Sequence, residues 1–345
     1  MAILKRIFLF LVALVVLLLG IGFLLPHKIH VERSTSIDAP RATVFALVDG
    51  FRSFNRWSPW YGVDPQAKYS YEGPDFGVGA RMSWVGDPKT VGSGSQEIVE
   101  VRPMAAVTTN IDFGDQGKAT GRFRLGAEGR ATAVTWTFDT DVGANPISRY
   151  FGLTFDRLIG PDYEKGLQGL KRLAESLPKT DFSDLKVEKV DVAPVTVAYL
   201  PATSSKDEQA IAQAIGGAYL EVGNFMAAHG LKQAGAPITI DTRWDEAGYS
   251  CDAAIPVDRA PEGEIAAESA VKVRQTYSGQ ALKVVHTGAY RDLPAAYEKL
   301  HAFIAAHGYQ QAGPAWDEYV SDPGTTPEAD LITNVYVPVK YSPGG

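Results

Sequence analysis

Strict alternation of apolar and polar positions is cleanest at residues 133–140, where Val134, Trp136 and Phe138 fall on one face of a predicted strand. Similar runs at residues 31–37, 80–85, 96–101, 107–113 and 120–125, bounded by Gly, Pro or Asp, predict further strands of an antiparallel sheet. Asp38-Ala39-Pro40 turns the first of them into a helical stretch carrying Val44, Phe45, Leu47 and Val48. After the strands the period changes. Tyr150, Phe151, Phe155, Leu158, Ile159, Leu167, Leu170 and Leu173 recur at helical spacing, predicting one long amphipathic helix over 147–176 with Gly160-Pro161 as its place to kink. The GSGS at 92–95 predicts a flexible hairpin loop and not a phosphate cradle.

The second half of the chain repeats itself. AAHGLKQAG at 227–235 returns as AAHGYQQAG at 305–313, an offset of 78, and the likeness extends outward to the flanking strands. Each copy reads strand, strand, helix, strand, strand. In the second copy, runs at 271–277 and 282–287 flank the turn Ser278-Gly279-Gln280. Asp292 and Pro294 then start a helix whose Tyr297, Leu300, Ile304 and His307 match Tyr219, Val222, Met226 and His229 of the first copy. Two copies suit one pseudo-twofold domain, since stacked solenoids need three or more. The repeated AAHG is read as a helix end: His at the negative end of the dipole, Gly in the left-handed turn.

Residues 7–25 form a run of nineteen without a charge, about 28 Å as a helix and close to the hydrocarbon thickness of a bilayer. Lys5 and Arg6 precede it, which favours a cytoplasmic N-terminus and an extracytoplasmic bulk. Pro26-His27-Lys28 follows where a signal peptide would carry small residues, so a single-pass membrane anchor is expected. The expected organisation is an anchor over 1–29, a first domain over 30–178, a linker over 179–184 and the duplicated domain over 185–345.

A formal charge of −7 without a Lys/Arg run argues against a nucleic-acid partner. Cys251 is the only cysteine, so no internal disulfide can form, and the six histidines show no metal-ligand spacing. No cofactor and no metal are expected, and no nucleophile, base and acid converge at readable spacing.

The order of elements in the first domain, with SIDAPRATVFALVDGFRSFNRWSPW and DYEKGLQGLKRLAE, resembles the SRPBCC (START-like, polyketide-cyclase-like) superfamily. That resemblance implies a helix-grip fold whose sheet wraps the long helix around an apolar cavity, with Trp57, Trp60, Tyr61, Trp84 and Trp136 as candidate lining residues. The second domain, through VVHTGAYRDLPAAYEKL, AGPAWDEYVSDPGTTPEAD and LITNVYVPV, resembles the GyrI-like (SOUL-related) effector-binding family. The fold class expected overall is α+β: one transmembrane helix, the helix-grip domain, then antiparallel sheets with two main helices.

The second resemblance implies a cleft that takes bulky aromatic or cationic small molecules. It places an aromatic, an acid, any residue and a Tyr at Trp316, Asp317, Glu318 and Tyr319, with Asp where the family usually has Glu. Alternation puts Asp317 and Tyr319 on one face and Trp316 and Glu318 on the other. Tyr290, Tyr297, Asp252, Asn334 and Tyr336 complete the candidate cleft, Asn334 standing where the family often has an acid. The reading is a membrane-tethered binder of a small hydrophobic ligand in one domain and an aromatic or cationic one in the other. A hydrolase or cyclase acting on a hydrophobic or electrophilic molecule is the alternative. A transcription regulator lacks the DNA-binding segment it would need.

Overall fold

The computed structural model describes residues 2–262 and 268–341, so Met1 and, within the expected second domain, residues 263–267 and the last four residues lie outside the described residues. The chain packs as two compact units that divide between Ser183 and Asp184, apart from Ala305–Gly308, which group with the first.

The first unit opens with α1 (Ala2–Leu24), an apolar helix of mean hydropathy 3.2 whose side chains are almost all exposed. A seven-stranded antiparallel sheet follows in the order β1 (Lys28–Ile37), β7 (Ala131–Asp141), β6 (Lys118–Glu128), β5 (Ala106–Asp112), β4 (Ser93–Arg102), β3 (Arg81–Val85), β2 (Lys68–Glu72). The helix α2 (Arg41–Val48) leaves β1, and the long α4 (Phe155–Ser176) crosses the inner face. Val31, Met82, Ile98, Val107, Phe123, Val134 and Phe138 from the sheet close over Tyr163, Leu167 and Leu170 of α4, which gives this unit one core.

Three sequence expectations change here. The single helix over 147–176 is two: α3 (Pro146–Gly152) and α4, broken at Leu153-Thr154. Asn145 caps α3, its Oδ1 accepting from the Ile147 amide at 2.9 Å. The helix ends where the Thr154 hydroxyl and amide both donate to the Phe151 carbonyl, at 2.7 and 2.9 Å. Pro161 then sits inside α4. Second, the GSGS stretch is no loose loop, because Ser93 and Gly94 pair with Val85 and Trp84 as the start of β4. Third, Lys68–Glu72 adds an edge strand that the expected set lacked.

The second unit holds a nine-stranded sheet, in the order β12 (Lys272–Gln275), β9 (Thr196–Ser204), β11 (Gly248–Pro256), β10 (Ile238–Asp245), β15 (Trp316–Tyr319), β16 (Ile332–Tyr341), β13 (Gly279–Thr287), β8 (Val187–Val192), with β14 (Tyr309–Gln311) paired to β16. Helices α5 (Glu208–Ala228) and α6 (Leu293–His307) are the equivalent helices of the two copies. The expected hairpin around Ser278-Gly279-Gln280 does not form. Instead β12 pairs with β9 and β8 with β13, so each copy lends its first strand to the other's edge.

The copies meet at β10 and β15. Thr239 lies opposite Asp317, and 317 − 239 = 78 is the offset of the repeat, so equivalent positions face each other and the pseudo-twofold axis passes between them. The repeated HG closes helices: His229 is the C-cap of α5, with its Nδ1 2.9 Å from the Phe225 carbonyl, while Gly230 and Gly308 take φ of +59° and +75°.

Candidate functional site

The sheet face that carries the axis is roofed by α5 and α6. Strand alternation sends Thr239 and Asp241 of β10, Asp317 and Tyr319 of β15, and Tyr249 and Cys251 of β11 to this side, where Tyr297 of α6 meets them. A bulge in β10 after Asp241 shifts the pairing with β11, leaving Asp241 opposite Cys251 and Trp244 opposite Tyr249. The Tyr249 hydroxyl donates to Asp241 Oδ1 at 2.7 Å, and the Tyr297 hydroxyl donates to Asp317 Oδ1 at 2.9 Å. The hydroxyls of Thr239 and Tyr319 share a hydrogen bond of 2.9 Å. Tyr219 of α5 is the symmetry equivalent of Tyr297, but its buried hydroxyl has no hydrogen-bond partner among the described residues.

Burial sets the electrostatics. Asp317 is 5% exposed, and desolvation, with the Asp241 charge second, pushes its carboxyl up to about 8. Asp241 is pushed up to about 6 by desolvation, which outweighs the hydrogen bond from Tyr249 that favours its ionised form. Loss of water also raises Tyr219, Tyr249, Tyr297 and Tyr319, and takes the Cys251 thiol up to about 11. Near neutrality the cluster therefore keeps a proton on Asp317. The polar side chains at this seam can accept a donor-rich or positive group, or can hold and release a proton.

The candidate residues divide between two faces. Asp317, Tyr319 and Tyr297 are brought together here, and the Tyr290 ring packs edge-on to Tyr319 at 5.3 Å. Trp316, Glu318, Asn334 and Tyr336 form a separate group on the opposite face. There Glu318 Oε2 accepts from Asn334 at 2.7 Å and from the Tyr336 hydroxyl at 3.2 Å, while Trp316 stacks on Tyr336 at 4.8 Å. Asp252 lies on that same face with Ile240 between it and Trp316, held by Arg274 at 2.7 Å with that guanidinium over the Tyr199 ring. Asp241, Thr239 and Tyr249 were not singled out from sequence, and Tyr219 and Cys251 entered only as the repeat match of Tyr297 and the one cysteine, not as site residues. The repeat offset was the available signal, since it sets Asp241 against Tyr319 and Tyr219 against Tyr297.

In the first unit, Trp57, Trp60 and Trp136 line a closed cavity of about 40 Å³ together with Phe51, Phe54 and Tyr163, and Gln96 and Thr109 are its polar groups. Trp136 stacks on Tyr163 at 3.9 Å and on Phe123 at 4.8 Å. Trp84 packs instead against Phe113, and Tyr61 is an exposed neighbour of Tyr69. The cavity has room for a water or two, against the several hundred Å³ of an ordinary ligand site. Next to it Asp49 is buried with its Oδ1 unpartnered among the described residues, and desolvation pushes its carboxyl up to about 7. A wider trough of about 630 Å³ runs over the outer sheet face, but its walls carry the Lys118–Asp112 ion pair and the His30–Asp139 hydrogen bond, so an apolar ligand gains little there.

Two family profiles match the chain: polyketide cyclase / dehydrase and lipid transport over residues 28–175, and the GyrI-like small molecule binding domain over residues 185–340. Among solved structures, the C-terminal domain of EcmrR is 16% identical, covering 46% of this chain and 99% of its own at a TM-score of 0.41. A hydrolase from Listeria innocua is 14% identical over 45% of this chain and 92% of its own, with a TM-score of 0.33. The Aha1 dimer from Colwellia psychrerythraea is 15% identical over 43% and 97%, with a TM-score of 0.32. No curated protein matches. With a helix-grip unit and a duplicated nine-stranded unit each matching its own profile, the chain belongs to the polyketide cyclase (SRPBCC) family in its first domain and to the GyrI-like small-molecule-binding family in its second.

Proposed function

We propose that the second domain binds a cationic, donor-rich aromatic molecule at the Asp241–Asp317 cluster. The first domain takes an apolar ligand between Trp57, Trp60 and Trp136 only when those rings part, since the cavity of about 40 Å³ between them is water-sized, and α1 holds both domains at a membrane with the bulk on the extracytoplasmic side. The observation that carries this is the pair of carboxylates buried among tyrosines, one of which has a hydroxyl without a partner among the described residues. A buried carboxylate is costly alone, and a cation or a set of donors relieves that cost. The cluster is closed in this form, with Asp317 almost fully covered, so a ligand enters by moving tyrosine side chains. Glu318, the other acid of the WDEY strand, faces away and already has two donors, which leaves Asp317 as the acid for this ligand.

The test is a fluorescence titration of the full chain in detergent with ethidium, a planar aromatic cation. Changing Asp241 and Asp317 together to Asn is expected to weaken binding by roughly 1–3 kcal/mol, about 5- to 150-fold. Equal affinity in the double variant sinks the assignment. A hydrolase is the second reading, favoured by two carboxyls whose proton affinities are pushed apart, as an acid–base pair requires. It predicts turnover of an electrophilic substrate that the double variant loses.

A further inference from the structure

Outside α1, four large apolar side chains of the first unit gather at one place: Ile147, Phe151, Leu153 and Leu158, which are 57, 65, 59 and 66% exposed. They lie on α3, on the turn after it and on the first part of α4. A water-facing helix would not present such a group, and exposed apolar clusters mark interaction surfaces.

Its neighbour identifies the surface. α3 packs directly on the last part of α1. The Tyr150 hydroxyl donates to the Leu18 carbonyl at 2.6 Å, and Arg149 Nη1 donates to the carbonyls of Phe23 and Leu25 at 2.6 and 3.1 Å. Pro146 sits so close to Gly22 that a Cβ there would come within 2.6 Å of it. These contacts run from Leu18 to Leu25, about 10 Å of helix rise, so α3 lies beside the final third of the apolar stretch and not beyond it. Arg149 is the only charge from Pro146 to Phe155; it satisfies free carbonyls at the end of α1 and gives the element the sign that anionic lipid attracts.

We propose that α3 and the turn after it lie in the surface layer of the lipid bilayer, in the leaflet from which α1 emerges, with Ile147, Phe151 and Leu153 among the upper acyl chains. The proposal rests on the reading of α1 as a membrane span. It sets the foot of an aromatic row at the lipid. Phe155 lies 6.3 Å from Phe138, Phe138 lies 6.4 Å from Tyr163, and Tyr163 lines the tryptophan cavity. An interfacial helix of this kind is held by its buried apolar face and by attraction to anionic headgroups.

The test places an environment-sensitive fluorophore on cysteines introduced one at a time in the full chain reconstituted into phosphatidylcholine/phosphatidylglycerol vesicles. The positions are Val15→Cys in α1, Phe151→Cys, Leu153→Cys, and Val85→Cys in the exposed strand β3. The unsubstituted chain, whose one cysteine is buried, is the blank. Lipids brominated near the headgroup end of the acyl chain should quench the labels at 151 and 153, and deeper-brominated lipids the label at 15. The label at 85 should keep its emission. Quenching at 15 with none at 151 and 153 overturns the proposal and leaves the anchor standing. No quenching at 15 removes the anchor and the proposal with it.

Discussion

Changing Asp317 to Asn isolates the cost of burying its charge. The carboxyl, ordinarily near 3.8, is held up to about 8 in the folded domain, chiefly by desolvation. The folded state therefore keeps a proton that the unfolded chain releases. The stability tied to this group is complete below 3.8 and is lost as pH rises through about 8. Inside that window each pH unit costs about 1.4 kcal/mol, so the second domain should lose roughly 3–4 kcal/mol between pH 5 and pH 8 through Asp317 alone. That is a large part of the 5–15 kcal/mol typical of a domain. Asparagine cannot ionise, and its Oδ1 can still accept from Tyr297. The variant should match the wild type near pH 5 and exceed it by about 2–4 kcal/mol at pH 8. Hydrogen exchange on the full chain, followed in the peptides that contain β10 and β15 and corrected for the intrinsic rate at each pH, reads that difference locally. If wild type and variant lose protection in parallel from pH 5 to 8, Asp317 is not a buried neutral acid and the argument falls.

On the proposed reading of the cluster, the same proton governs binding. Ethidium affinity should rise with pH between about 6 and 8 by up to tenfold per unit, with proton release visible in calorimetry across buffers of different ionisation heat; a flat profile would mean that the cation does not meet Asp317. In the first domain, Gly169 lets α4 lie against the backbone of Trp57, and a Cβ there would stand 2.4 Å from the Trp57 carbonyl oxygen. Gly169→Ala should cost about 1–3 kcal/mol, read as a lower melting temperature for that domain, and an unchanged melting point would refute the close approach.

Architecture was legible because it is written in periodicity. Val134, Trp136 and Phe138 alternate as a half-buried strand must, and they do face the core. The twin AAHG segments end helices because a dipole end and a left-handed turn are local requirements. What was not legible depends on distance through space. Nothing near Leu153 in sequence announces that a threonine hydroxyl will close α3 there, and residues 271–287 read as a hairpin because strand signals do not say which neighbour a strand will take. The site follows the same rule. Asp317, Tyr319 and Tyr297 were reached through a family pattern, whereas Asp241 and Tyr249 owe their place to a bulge and a cross-strand register, which leave no mark on composition.

The duplication also explains why the cluster is asymmetric. Equivalent residues at 239 and 317 face each other across the axis, where directly opposed side chains stand about 5 Å apart. Two aspartates there, both without water, would repel strongly and could not both ionise. The first copy has Thr239 at that position and carries its acid at Asp241, two residues on. A step of two keeps the carboxylate on the same sheet face and moves it about 7 Å along the strand. The second copy has Tyr319 at the position equivalent to Asp241, and its hydroxyl bonds to Thr239, which completes an exchange of acid and hydroxyl about the axis. A symmetric fold thus holds two buried acids near its seam without placing them face to face, and each takes a different proton affinity. If the cluster is the binding site proposed above, a ligand with one positive end and one donor-rich end can bind in only one of two otherwise equivalent orientations.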